Sequence, residues 1–122
     1  MVVFYDDLTD TVFMGDGCNN SSFLFLPEST SISTYLHTLQ KFKKDWMLKV
    51  RKLVICHDYD FVPLELIDNV NDCCERILNG SDDKYTFNHH MAKGFERWAS
   101  KGGPDRLDGK FGNIVYNVNR VD

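Results

Sequence analysis

The stretch Thr11-Val12-Phe13-Met14-Gly15-Asp16-Gly17-Cys18-Asn19-Asn20 decides how the rest of the chain is read. A β-rich run, Thr11 to Met14, ends in Gly-Asp-Gly, where the glycines let the backbone turn tightly or approach a ligand closely. A carboxylate at the end of a buried strand is placed as a metal ligand would be. The layout recurs downstream, where Leu53-Val54-Ile55-Cys56 runs into His57-Asp58-Tyr59-Asp60. If the two strands lie parallel in one sheet, Asp16 and His57 emerge at the same carboxyl edge, the usual ligand position in α/β sheets. Both are ligand types for zinc or another first-row metal. The plain alternative is that Asp16 caps a turn and His57 satisfies a loop carbonyl. Catalytic zinc takes three protein ligands. Cys18, Cys56, Asp58 and Asp60 are close enough in sequence to add one or to support the shell.

On the N-terminal side, Val2-Val3-Phe4-Tyr5 reads as a strand and Asp6 to Asp10 as a turn, so Thr11 to Met14 is the returning arm of a hairpin. On the other side, Phe23-Leu24-Phe25-Leu26 is an apolar run closed by Pro27, either a brief strand or a buried loop. Ser29, Thr30, Ser31 and Ser33 are N-cap candidates. Behind them Ile32, Tyr35, Leu36, Leu39 and Phe42 keep helical spacing to about Lys44. His37 falls on the polar flank of that helix and reads as structural or solvent-exposed. Lys52 to Cys56 reads as a strand buried on both faces, which makes a β-α-β arrangement. Pro63 opens a second helix, with Leu66, Ile67, Val70, Cys73, Cys74, Ile77 and Leu78 on its apolar face and Gly80 as its stop. Tyr85 to Met91 is a weak strand candidate, Phe95 to Ala99 a strand or one helical turn, and Asn113 to Asn117 a last strand. If Tyr85 to Met91 is a strand, His89 and His90 point to opposite faces, one buried and one exposed, and cannot easily share a metal.

The 122 residues suit one domain, 1–122. With 43% hydrophobic and 26% charged residues, the composition is that of a globular rather than a disordered chain. A net charge of −4 gives no whole-molecule attraction to nucleic acid or anionic membrane. The basic run Lys41, Lys43, Lys44, Lys49, Arg51 and Lys52 reads as the solvated end of a helix. Basic and aromatic residues interleave between Lys93 and Phe111, but Glu96, Asp105 and Asp108 dilute them, which argues against a nucleic-acid partner. The four cysteines, with Cys73 and Cys74 adjacent on a helix, form no disulfide framework. Asp6 and Asp7 interrupt any leader-like run, and no apolar stretch approaches the ~20 residues of a membrane span. A cytoplasmic setting is expected. No Gly-x-Ser-x-Gly and no phosphate-binding glycine loop occurs.

Taken together, Val12 to Asp16, the serine/threonine-rich helix entry and Lys52-Leu53-Val54-Ile55-Cys56-His57 resemble the C-terminal half of the metallo-β-lactamase fold. Asp108 to Asn117 resembles a closing strand in some bacterial hydrolases of that superfamily. The resemblance implies an α/β chain forming half of an αββα sandwich, one mixed β-sheet with two main helices on one face. It implies that Asp16 bridges two metal ions, zinc being the expected one, and that His57 binds the second. The family has Gly-His where this chain has Cys56-His57, so the metal shell differs. The family's His-x-His-x-Asp-His motif does not occur in these residues, so the chain is expected to correspond to a second half alone, truncated or having lost its first. The chemistry implied is hydrolysis of an ester, amide, thioester or phosphodiester, in which the metal acidifies a water and stabilises the oxyanion. With so few ligands the isolated chain is expected to be inactive or weakly active. Half a sandwich leaves one sheet face bare, so a homodimer, or the missing N-terminal half, is the expected partner. The alternative reading is a non-catalytic, oligomer-forming α/β domain that has lost its metal-dependent activity.

Overall fold

A computed structural model describes residues 2–56, 60–90, 93–94, 99–101 and 110–122. It is a mixed α/β structure. The first hairpin pairs β1 (Phe4–Asp6) antiparallel with β2 (Thr11–Gly15). The Asp6 carboxylate closes the turn by accepting from the Leu8 amide at 3.1 Å and the Thr9 hydroxyl at 2.6 Å. Asp10 follows in the left-handed region (φ 53°), which aspartate tolerates better than most residues. Its carbonyl accepts from the amides of Arg51 and Lys52, which ties the hairpin to the start of β4 (Lys52–Ile55). β2 and β4 run parallel, as the β-α-β reading requires.

The connecting helix α1 (Ile32–Trp46) is capped by Ser31, whose side chain accepts from the Thr34 amide at 3.3 Å. The second helix α2 (Glu65–Asn79) carries acidic Glu65 and Asp68 in its first turn and ends on Gly80 in the left-handed conformation. That end matches the sequence expectation, because only glycine takes this position without cost. The helices pack on each other and are bridged by Lys43 and Asp68 at 2.6 Å. Two further cations of the basic run meet acids, Lys41 with Asp45 and Arg51 with Asp10. The core gathers Val12, Met14, Leu53 and Ile55 from the strands, Tyr35 and Leu39 from α1, and Leu66, Ile67, Val70, Cys73 and Cys74 from α2. Cys73 and Cys74 are fully buried there, as small core residues.

Two expectations are corrected. β4 is not buried on both faces. Leu53 and Ile55 are buried, while Lys52 is exposed and Val54 half-buried, because the helix-bearing core covers one face of this sheet. Nor do the strands form one mixed sheet. The described strands divide into a three-stranded sheet, β1-β2-β4, and a four-stranded one. In the second, β3 (Ser21–Leu24) pairs parallel with β7 (Asn113–Asn117), which pairs antiparallel with β6 (Ala99–Lys101), itself antiparallel to β5 (Tyr85–Thr86). The division falls at the Gly15-Asp16-Gly17 turn, after which the chain leaves β2 and joins a strand from the far end of the sequence. Ile114 and Tyr116 of β7 enter the main core, while Val115 joins Phe25 in a smaller cluster with Phe23, Leu26 and Phe87. The C-terminus latches the loop before α1. The Arg120 guanidinium donates to the carbonyls of Leu26, Pro27 and Ser29, and the Ser33 amide donates to the Val121 carbonyl. No helix among the described residues is long and apolar enough to cross a membrane.

Candidate functional site

The Gly-Asp-Gly segment forms a tight turn, with the Gly17 amide donating to the Met14 carbonyl at 2.9 Å. Gly15 has φ +56°, so a side chain there would be strained. Asp16 is exposed at the tip. The backbone beneath it is held firmly. The buried Tyr35 hydroxyl, from α1, donates to the Gly17 carbonyl at 2.8 Å. The Ser22 side chain accepts from the Asn19 amide, and the Asn20 carbonyl accepts from the Asn113 amide at 2.8 Å. An exposed carboxylate on an anchored turn keeps its position without losing access to solvent.

β4 brings its end to the same place. The Cys56 amide donates to the Gly15 carbonyl at 3.2 Å. The register is Thr11↔Lys52, Val12↔Leu53 and Phe13↔Val54, then Gly15↔Ile55, so one extra residue of β2 is accommodated between Phe13 and Gly15. This bulge levels Asp16 with Cys56. The Cys56 thiol donates a hydrogen bond to the Asp16 carboxylate. Partial burial pushes the thiol pKa up, and the neighbouring negative charge and that hydrogen bond add to it.

The other expected participants are distributed differently. His57 and Asp58 lie outside the described residues. Cys18 is fully buried against Tyr35 in the main core, with its thiol pushed up to about 12 by desolvation. Asp60 lines a groove of about 500 Å³ with Thr9, Thr11, Phe13, Lys52, Val54 and Phe61. His37 is exposed, within the range expected for it. The His89–His90 expectation is corrected. β5 ends at Thr86, both histidines are exposed, and their rings lie together with centroids 4.1 Å apart. The strand alternation that would have separated them does not extend that far, and His89 instead stacks on Phe87 at 5.3 Å. The segment with Phe95, Arg97, Trp98, Arg106 and Asp108 lies outside the described residues.

Asp16 and Cys56 supply a carboxylate and a thiol, donor types that zinc accepts. Among the described residues no group of three or more His, Cys, Asp or Glu side chains is placed to hold a metal ion. Sequence reasoning did not identify Tyr35 as the brace of the turn. Its signal was a hydroxyl on an otherwise apolar helix stripe, which needs a buried partner. It also missed the groove, although Phe13, an apolar residue between inward-facing Val12 and Met14, must face outward. No protein-family model, curated protein or solved structure matches the chain.

Proposed function

We propose that this chain is the C-terminal portion of a metal-dependent hydrolase of the metallo-β-lactamase type, inactive or weakly active by itself. The observation that supports it is the parallel pairing of β2 with β4, which sets Asp16 and Cys56 side by side at one carboxyl edge. In this reading Asp16 and His57 are metal ligands and zinc is the metal. Cys56 stands where the family has glycine, so its thiol adjoins the metal shell. When bound, the metal supplies an acidified water and stabilises negative charge on the substrate oxygen. The chain's own residues hold the edge. Tyr35 and Asn113 fix the turn backbone, and the exposed Asp16 carboxylate would hold the cation at a solvent-facing edge. Ligands from outside these residues complete the shell. The partner that brings them, the family's first half or a second copy, makes a half-sandwich into a whole. Metal analysis of purified protein tests the assignment. Zinc is expected in the native chain and is lost in Asp16→Ala, and no metal in either sample counts against it.

A second reading is favoured by the apolar outer face of the β1-β2-β4 sheet. Here the chain is a non-catalytic α/β domain whose role is assembly, and Asp16 and Cys56 are a structural pair. A metal-free chain that self-associates supports this reading over the first.

A further inference from the structure

We propose that the outer face of the β1-β2-β4 sheet is a self-association surface that seats a second copy of this chain. The inference is independent of any metal, because it rests on the opposite side of the same strands from the core. Register places Phe4 beside Phe13, and Phe13 beside Val54. Directly paired residues share a face, so these three form an apolar stripe across the sheet. Phe61 extends it, lining the groove with Phe13 and Val54. Phe4 is 67%, Phe13 43% and Phe61 53% exposed. The second core cluster and the C-terminal latch lie elsewhere, on β3, β7 and the loop before α1.

Size and charge both fit a second copy. An aromatic side chain has about 150–250 Å² to bury, so three rings exposed to this degree leave about 300 Å² of apolar surface open per copy. That is the scale at which a patch on a monomer is functional. With the groove's rim included, two such faces bury on the order of 1,000 Å², the lower bound of a specific interface. An interface at that bound, with few anchors, suits a weak and reversible dimer, and the concentration series that tests it is set about the micromolar range. The rim carries one cation and one anion, Lys52 and Asp60. The Lys52 ammonium lies over the Phe61 ring at 5.1 Å, next in sequence to Asp60. A twofold interface is self-complementary, so Lys52 of each copy meets Asp60 of the other twice over. Asp6, paired with Thr11 and through it level with Lys52, adds a second anion on this face, and a face with charges of both signs matches its own copy better than it matches a polyanion or a strongly charged protein.

Sedimentation velocity over a concentration series, with circular dichroism as the folding control, tests this. The native chain should move from monomer to dimer across the micromolar range. Phe13→Lys should weaken self-association at least tenfold while leaving the fold intact, since Phe13 lies outside the core, and Phe61→Lys provides a second variant should the first misfold. Lys52→Glu and Asp60→Lys should each be monomeric alone, because each places like charges across the interface. Mixed in equal amounts they should form a one-to-one pair, because both cross-contacts then become attractive. A native chain that stays monomeric at all concentrations overturns the proposal. So does a dimer unaffected by both Phe variants, or a failure of the two charge variants to pair when mixed.

Discussion

Replacing Tyr35 with Phe removes one oxygen and tests how the Asp16 turn is held. Tyr35 is 5% exposed, and its hydroxyl donates to the Gly17 carbonyl at 2.8 Å across 18 residues of sequence. The Ser22 hydroxyl donates in turn to the Tyr35 hydroxyl oxygen, and Ser22 is itself 2% exposed. Both partners lie where water does not replace the lost group easily, and stranding a buried polar group costs about 1–3 kcal/mol. For a chain of this length each kcal/mol lowers Tm by about 4 °C, so a fall of about 4–12 °C is expected. Tyr5→Phe is the matched control. Its hydroxyl also makes a short bond, 2.6 Å to the Asp10 carboxylate, but that acceptor is a half-buried side chain with Arg51 alongside. Asp10 can turn to solvent, so the loss should stay within about 1 kcal/mol. Urea unfolding of both variants reads the difference directly. Equal midpoints for the two, or a Tyr35→Phe protein within about 0.5 kcal/mol of native, a change typical of neutral surface sites, would refute the view that this hydroxyl braces the turn.

Gly112 has φ +91°, and an added Cβ would lie 2.8 Å from Leu66 Cδ1 and 3.2 Å from Val70 Cγ2. Leu66 is fully buried and has little room to move, so Gly112→Ala should cost about 3 kcal/mol, strain and overpacking together. Gly80→Ala, at φ +70° with nothing within 4 Å, should cost only the strain, about 1 kcal/mol, and denaturant melts of the pair separate the two contributions. Arg120→Ala frees three carbonyls before α1 and should lower stability by about 1–3 kcal/mol, with faster amide exchange at Ser29 and Ser33 as the local readout. An unfolded cysteine ionises near pH 9, whereas Cys18 in the fold does so only at about 12. Between those values the folded chain keeps a proton that the unfolded chain releases. Stability therefore falls as pH rises through that window, by up to about 1.4 kcal/mol per pH unit for the group. Cys18→Ala should flatten that slope in stability measured from pH 8 upward.

Local features were legible in the sequence to different degrees. The two helices were legible because their apolar residues recur strictly: Tyr35 and Leu39 on one, Leu66, Ile67, Val70, Cys73, Cys74 and Ile77 on the other. Gly80 was legible as a stop because the left-handed conformation that ends a helix favours glycine. The hairpin and the β2–β4 pair followed from their turn residues and the helix between them. The second sheet was not legible. Its central pairing joins Ser21–Leu24 to Asn113–Asn117, and nothing in either short run specifies a partner so far away. Which serine caps α1 was likewise open, since Ser29, Thr30, Ser31 and Ser33 are all competent by type. Ser31 takes the role between two tethered neighbours, with Arg120 holding the Ser29 carbonyl and Val121 the Ser33 amide. Burial of Lys52 to Cys56 was overread because Val54, apolar like Leu53 and Ile55, faces the uncovered side.

The site's pairing depends on the bulge in β2. Carried on unbroken, the register that pairs Phe13 with Val54 would set Gly15 level with Cys56, and Asp16 level with His57. The extra residue between Phe13 and Gly15 instead pairs Gly15 with Ile55 and brings Asp16 level with Cys56. Bulges re-aim side chains at strand ends and are common beside functional sites. This one also lets Met14 stay buried at 3% exposure while the next residue, Gly15, takes a positive φ and turns the chain out of the sheet. Strand alternation sends Val12 inward, Phe13 outward and Met14 inward, and the bulge and the turn put Asp16 at the edge. Three successive roles on one strand, core, outer face and edge, therefore follow from one register and its single interruption. A deletion of Met14 would remove the extra residue and leave the observed pairs, Val12↔Leu53, Phe13↔Val54 and Gly15↔Ile55, consecutive and unchanged. Gly15 would then fall at the inward position that Met14 fills at 3% exposure, so the core should lose about 2–5 kcal/mol while Phe13 keeps its outward face and self-association persists.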